Sequence, residues 1–283
     1  MIDTHAHLVT DDVKHYPPTP PGSFKEGDLD NLMTVETLLG EMDKSGVDKA
    51  VLVQRASIYG FDSSYVCDSA WRFPARLAAV CSIDATAQDC ADRVAYWTEG
   101  RGAAGIRLME LVKGMDIGWL DSPTARTAWA AALERNIPVC VHFFPWNRAE
   151  GLTRLHAILS DMPGLTVVID HFAAIKSDAG PPDHGVDDLL ARVADFAGVN
   201  VKFTTIPLGR LDQAGIDARP VVARVAALFG ADRMMWGSDI TQSPGSYADM
   251  VALGRNAVAN LPAPAQAAIL GGTAQRVYGR GWQ

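Results

Sequence analysis

The sequence predicts an α/β protein whose eight parallel strands alternate with helices and close into a (β/α)8 TIM barrel. It reads as a single domain over residues 1–283 with an extra C-terminal helix. Three observations carry this. Eight short β-rich runs are separated by longer stretches of helical periodicity. Strand and helix alternate at the spacing of parallel βαβ units. A chain of 283 residues with 48% hydrophobic content supplies one large core of the size, about 250 residues, that such barrels need. A doubly wound open sheet is the runner-up.

The strands are expected at MIDTH, KAVLVQ (49–54), RLAAVCSI (76–83), AGIRLM (104–109), IPVCVHFF (137–144), LTVVIDHF (165–172), VNVKFT (199–204) and DRMMWGSD (232–239). Between them run amphipathic segments such as TVETLLGEMDKSG, SPTARTAWAAALERN and SYADMVALGRNAVANL, with apolar residues recurring on one face. Gly46, Gly100, Gly198 and Gly230 stand where helices should stop in a left-handed turn. The tail PAPAQAAILGGTAQRVYGRGW reads as one more helix on the outside. The stretch YPPTPPGSFKEGD (16–28) cannot be regular structure, because proline removes donors and fixes φ. It is expected to be a long loop over the catalytic face, and KSDAGPPDHG (176–185) a second one.

A net charge of -8 argues against nucleic acid or an anionic membrane as partner, since both demand clustered Lys and Arg. No apolar run approaches the roughly 18 residues of a membrane span. The four cysteines, Cys67, Cys81, Cys90 and Cys140, lack C-x-x-C spacing and sit in apolar surroundings, as reduced thiols of a cytoplasmic protein do.

Polar residues concentrate at strand ends. Of seven histidines, His5, His7, His142 and His171 stand at or near the C-terminal ends of expected strands, and Asp239 ends the eighth. Strand alternation puts Asp3, His5 and His7 on one side of the first strand and turns Cys140 and His142 toward the axis of the fifth. In a parallel barrel these ends share one mouth. Imidazoles with one carboxylate suit a divalent cation such as zinc with an open position. A single histidine is more often a hydrogen-bonded interior residue, so the weight lies in the combination.

The same alternation turns Lys202 toward the lumen, where a lone ammonium is costly. Lys202 and Arg107 each need an anion, either a substrate carboxylate or a structural Asp. Glu110, Arg55 and Tyr59 are further substrate-contact candidates on the same mouth; Lys113, Trp146 and Arg148 are weaker ones. His15 and His184 belong to the long loops, and His156 to a helix. There is no G-x-G-x-x-G, no phosphate loop and no G-x-S-x-G elbow.

Taken together and in this order, MIDTHAH, VCVHF, VVIDHF, MMWGSD and ILGGTAQRVYG resemble the amidohydrolase-related (amidohydrolase 2) branch of the amidohydrolase superfamily. The likeness spans the whole chain and is similar above all to the 2-pyrone-4,6-dicarboxylate lactonases and related lactonases. It implies a barrel with one divalent metal ion, zinc or manganese, held by His5, His7, His142 and Asp239, with Asp239 and His171 catalytic. It implies a lactonase that attacks a carboxylated or sugar-derived lactone with metal-bound hydroxide, Asp239 moving the proton and Arg107 and Lys202 holding a substrate carboxylate. The alternative is a non-oxidative decarboxylase of an aromatic or muconate-like acid on the same ligands; a catalytically silent ligand-binding barrel is the remaining reading. A homodimer is implied by the resemblance alone. The pyrone-dicarboxylate lactonases keep no histidine on the fifth strand and work without metal, so His142 shifts the expectation toward metal dependence.

Overall fold

The computed structural model of the protein describes residues 1–19 and 29–282. The strands are β1 (Ile2–Ala6), β2 (Lys49–Val53), β3 (Leu77–Ser82), β4 (Gly105–Met109), β5 (Val139–His142), β6 (Val167–Ile169), β7 (Val199–Thr204) and β8 (Met234–Gly237). They form one eight-stranded parallel sheet in chain order. A bridge from Ala6 to Ile240 and the Asp239 N–H donating to the His5 carbonyl at 2.7 Å draw the last strand to the first. The result is the (β/α)8 barrel that the strand and helix spacing predicts.

Alternation divides each strand between two cores. On β7, Val199, Val201 and Phe203 pack outward against the helices, leaving Asn200, Lys202 and Thr204 for the lumen. On β5, Val139 and Val141 face outward while Cys140 joins the lumen. The helices form where their signals stand. Val35–Ser45 starts at Thr34, whose hydroxyl accepts from the Thr37 N–H at 3.2 Å, and stops at Gly46 with φ 66°. Pro123–Glu134 starts at Ser122 with proline in its first turn.

Five local expectations are corrected. First, β1 changes register between Asp3 and Ala6, so Asp3 does not share the histidine side. Its carboxylate instead accepts from the N–H groups of His5 (3.0 Å) and Ser238 (2.8 Å) and from the Tyr247 hydroxyl (3.1 Å), pinning the β1–β8 seam. Second, β6 ends at Ile169, and His171 to Ala174 turn left-handed with φ of 51–55°. Third, Gly230 has a positive φ of 85° but an extended ψ of 142° in place of the left-handed helical turn expected there, and Gly102 (φ 72°) takes the positive φ expected of Gly100. Fourth, Gly198 is required by crowding, since a Cβ there would lie 2.1 Å from the Leu165 carbonyl oxygen.

The fifth concerns the tail. Ala263–Ala267 lies on the outside with no buried residue, but Thr273–Tyr278 and the segment that follows it turn inward, carrying Ala274, Val277, Tyr278 and Trp282 into the N-terminal mouth against Ile2, Val51, Ala78 and Ala104. This apolar plug seals one end of the lumen and leaves only the C-terminal face for a site. Of the proline-rich first loop, residues 20–28 lie outside the described residues. Among the described residues, no helix is long and apolar enough to cross a membrane.

Candidate active site

Above the plug the lumen turns from apolar to charged. Asp170, the residue after β6, is fully buried with Lys202 and His5. Its carboxylate lies 2.9 Å from Arg107 Nε, 3.2 Å from Lys202 Nζ and 3.5 Å from His5 Nδ1. Burial alone would raise the Asp170 pKa, yet Lys202 and Arg107 outweigh it and hold the carboxyl well below the usual range. The Val-Val-Ile-Asp run of β6 turns Asp170 inward by the same alternation that selects Lys202, a signal the sequence reading passed over.

One layer higher, His7, His142, His171 and Asp239 form the floor of a cavity of about 470 Å³. Neighbouring imidazole centroids lie 4.9 Å (His5–His7), 4.9 Å (His5–His171) and 4.7 Å (His142–His171) apart. Burial pushes all four imidazoles down from the ordinary value, His142 to about 3 with Arg107 adding to the effect. Burial thus favours the neutral form of each ring, which carries a lone pair on one nitrogen.

The donor set on this floor fits a divalent ion. Asp239 Oδ1 lies 3.5 Å from His5 Nε2 and 3.4 Å from His7 Nε2, and both Asp239 Oδ1 and His5 Nε2 are buried without a hydrogen-bond partner. Tetrahedral zinc with bonds of about 2.0–2.2 Å sets adjacent donors about 3.3–3.6 Å apart. The carbonyl of Val53 accepts from His7 Nδ1 at 2.7 Å, which leaves the Nε2 lone pair free toward Asp239. Asp239 itself is left-handed at φ 60°, a conformation Asp tolerates, and its Oδ2 accepts from the Ser243 hydroxyl at 2.9 Å. His5, Asp170 and His171 form a second, deeper group within reach of one another. His142 is in neither group.

Other residues fall differently from expectation. Lys202 is sealed beneath the floor against Asp170 and His5, so it cannot hold a substrate carboxylate. Arg107 lines the cavity, but its guanidinium is committed to Asp170 and to His142 Nδ1 at 2.9 Å. Tyr59 lies off the cavity, its hydroxyl accepting from the Thr10 N–H at 3.0 Å. Glu110 is buried and not free for substrate: its carboxylate accepts from Trp146 Nε1 (3.0 Å), Asn147 Nδ2 (2.5 Å) and the Gly114 N–H. Glu110 thus straps the loop after β4 to the loop after β5 and stands Trp146, stacked on Phe144 at 4.6 Å, at the rim. Arg55, Lys113 and Arg210 line the same cavity. Arg148 is engaged bidentately by Asp187 at 2.6 and 2.9 Å. His15 pairs with Asp12 on the surface at 2.7 Å, and His156 packs edge-on to Phe196.

A closed parallel barrel with imidazole nitrogens and a carboxylate gathered at its C-terminal face belongs to the class of barrel enzymes built round a strand-end donor cluster. Within that class, the chain belongs to the amidohydrolase family (Amidohydro_2), whose model matches residues 2–280. A curated relative, L-fucono-1,5-lactonase of Burkholderia ambifaria, is 28% identical over 213 residues, covering 73% of this chain and 70% of that protein. A probable 2-pyrone-4,6-dicarboxylic acid hydrolase from Acinetobacter baumannii, with citric acid bound, matches at TM-score 0.75 and 20% identity over 98% of both chains. A Burkholderia multivorans amidohydrolase with bound zinc also matches at TM-score 0.75, 20% identity and 98% of both chains. At these identities the two structures establish the shared fold.

Proposed function

We propose that this chain, as a single barrel domain, opens a carboxylated or sugar-derived lactone by adding water to its carbonyl. The observation that carries the reading is the triangle of His5 Nε2, His7 Nε2 and Asp239 Oδ1 on the floor of an enclosed cavity. The 28% identity to an L-fucono-1,5-lactonase supports lactone chemistry on that floor. Zinc or manganese suits the donor set, and a bound ion supplies Lewis-acid activation there.

Asp239 takes the proton from the attacking water and returns it to the ring oxygen as the C–O bond breaks. His171, backed by the Thr204 hydroxyl at 2.6 Å, hydrogen-bonds the attacking oxygen. With Lys202 sealed away, Lys113 and Arg210 on the cavity wall supply the positive charge for a substrate carboxylate, and Trp146 offers an aromatic face to the ring. Four free, buried cysteines suit a reducing, cytoplasmic setting.

The test is a panel of sugar-derived lactones, carboxylated lactones and aromatic acids, run with a pH indicator on protein of measured metal content. Ring opening releases a proton at neutral pH, and Asp239→Asn should lower kcat by about 10²–10⁴-fold. Carbon dioxide release, or an Asp239→Asn rate equal to wild type, overturns the proposal.

A further inference from the structure

His7 and His142 carry the same side chain on the same cavity floor, yet the groups behind their Nδ1 atoms are chemically opposite. Behind His7 stands the Val53 carbonyl at 2.7 Å, which can only accept. His7 Nδ1 therefore holds the proton and Nε2 the lone pair. Behind His142 stands an Arg107 guanidinium nitrogen at 2.9 Å, which can only donate. His142 Nδ1 must therefore accept, and the proton of the neutral ring is forced onto Nε2.

Arg107 is not free to turn away, because its Nε is held at 2.9 Å by the fully buried Asp170. Asp170 is fixed in turn by Lys202 at 3.2 Å. On its cavity side, His142 Nε2 has no partner among the described residues and is not a sealed atom. An N–H pointing into a cavity is a hydrogen-bond donor, and a protonated nitrogen has no lone pair for an ion. The absence of His142 from both donor groups agrees with this.

The other two imidazoles are not dictated in this way. His5 Nδ1 faces both a donor, Lys202 Nζ at 3.3 Å, and an acceptor, Asp170 Oδ1 at 3.5 Å. Either tautomer is therefore supported, and an ion at Nε2 would select the one with the proton on Nδ1. His171 Nδ1 meets the Thr204 hydroxyl, which can donate or accept.

We infer that His142 is a fixed Nε2–H donor to the lactone carbonyl oxygen and not a metal ligand, with Arg107 and Asp170 as the positioning residues that set its tautomer. The inference rests on the lactonase reading for the identity of the carbonyl, but the tautomer does not. When water adds to the carbonyl carbon, the C=O electron pair moves onto oxygen, and the Nε2–H hydrogen bond strengthens there without transfer of its proton. The carbonyl re-forms as the ring C–O bond breaks, and the proton on the departing oxygen comes from Asp239. Fixed donors of this kind are effective because they need no reorganisation as charge develops.

The experiment uses 15N-labelled full-length protein, metal-free and zinc-loaded, with long-range 1H–15N correlation of the imidazoles. Zinc per chain is measured alongside in wild type, His7→Ala, His142→Ala and His142→Gln. The expected result is a protonated Nε2 and a bare Nδ1 on His142 in both states. Zinc content should be unchanged by either His142 substitution and lost in His7→Ala. On a lactone substrate His142→Ala should lose about 10²–10³-fold in kcat, and His142→Gln, whose amide N–H replaces the donor, should recover part of it. A proton on His142 Nδ1, or loss of zinc in a folded His142→Ala equal to that in His7→Ala, overturns the inference. If no lactone in the panel is turned over, the proposed function fails, while the tautomer and zinc measurements still decide this one.

Discussion

Substituting Asp170→Asn keeps the shape of the side chain and removes the charge that faces Lys202 and Arg107. At an effective dielectric constant of about 20, an ion pair at 3.2 Å or 2.9 Å contributes about 5 kcal/mol of gross attraction. Desolvation of each buried ion offsets several kcal/mol of this. Native geometry therefore gains little net from the cluster, but removing its one shared carboxylate strands two buried cations. The expected loss is about 3–5 kcal/mol, measured as a lower urea midpoint at unchanged m-value. Adding Lys202→Met should recover about 1–2 kcal/mol of it, because one stranded charge disappears and Arg107 remains. A single-substitution loss under about 1 kcal/mol, or a loss that Lys202→Met does not reduce, would show that the layer below the cavity is wet and the pairing unimportant.

Three further outcomes follow from the same geometry. The His142 pKa is lowered in the fold, from 6.5 to about 3, so below pH 6.5 the unfolded chain binds the proton and the native one does not. Stability then falls as pH drops from 6.5 toward 3, by about 1.4 kcal/mol per unit; a melting temperature of the metal-free protein that stays flat between pH 7 and 5 would refute this. Ala174 sits at φ 51°, where an L-residue is strained by about 1–2 kcal/mol. Ala174→Gly should therefore raise stability by up to about 1 kcal/mol after the unfolded-state entropy is counted, read as a rise in melting temperature. Gly237→Ala would place a Cβ 2.5 Å from His5 Cβ and 2.8 Å from its backbone nitrogen. It should cost about 1–3 kcal/mol and weaken zinc binding measured by competition with a chelator; unchanged zinc affinity would mean that His5 is not among the ligands.

The parts of this molecule that were legible in its sequence are those set by a repeating local rule. Alternation of side chains along VNVKFT turns Lys202 inward whatever its partner is, and the same rule applied to VCVH turns His142 inward. Where the chain breaks the period, the rule fails. The register change between Asp3 and Ala6 moves Asp3 off the histidine side, and the left-handed turn after Ile169 re-aims His171 in a way no periodicity encodes. Partners are harder still, because they come from distant strands. Lys202 in isolation poses a choice between substrate and structural anion, and only the arrival of Asp170 from β6 at 3.2 Å decides it. Glu110 is a loop carboxylate in sequence and a strap under Trp146 in space. The same holds for what a residue does: His7 and His142 are interchangeable as letters at strand ends, and they part only because a carbonyl backs one ring and a guanidinium the other. Sequence names the imidazole, but the atom behind Nδ1 decides whether it offers a lone pair or a proton.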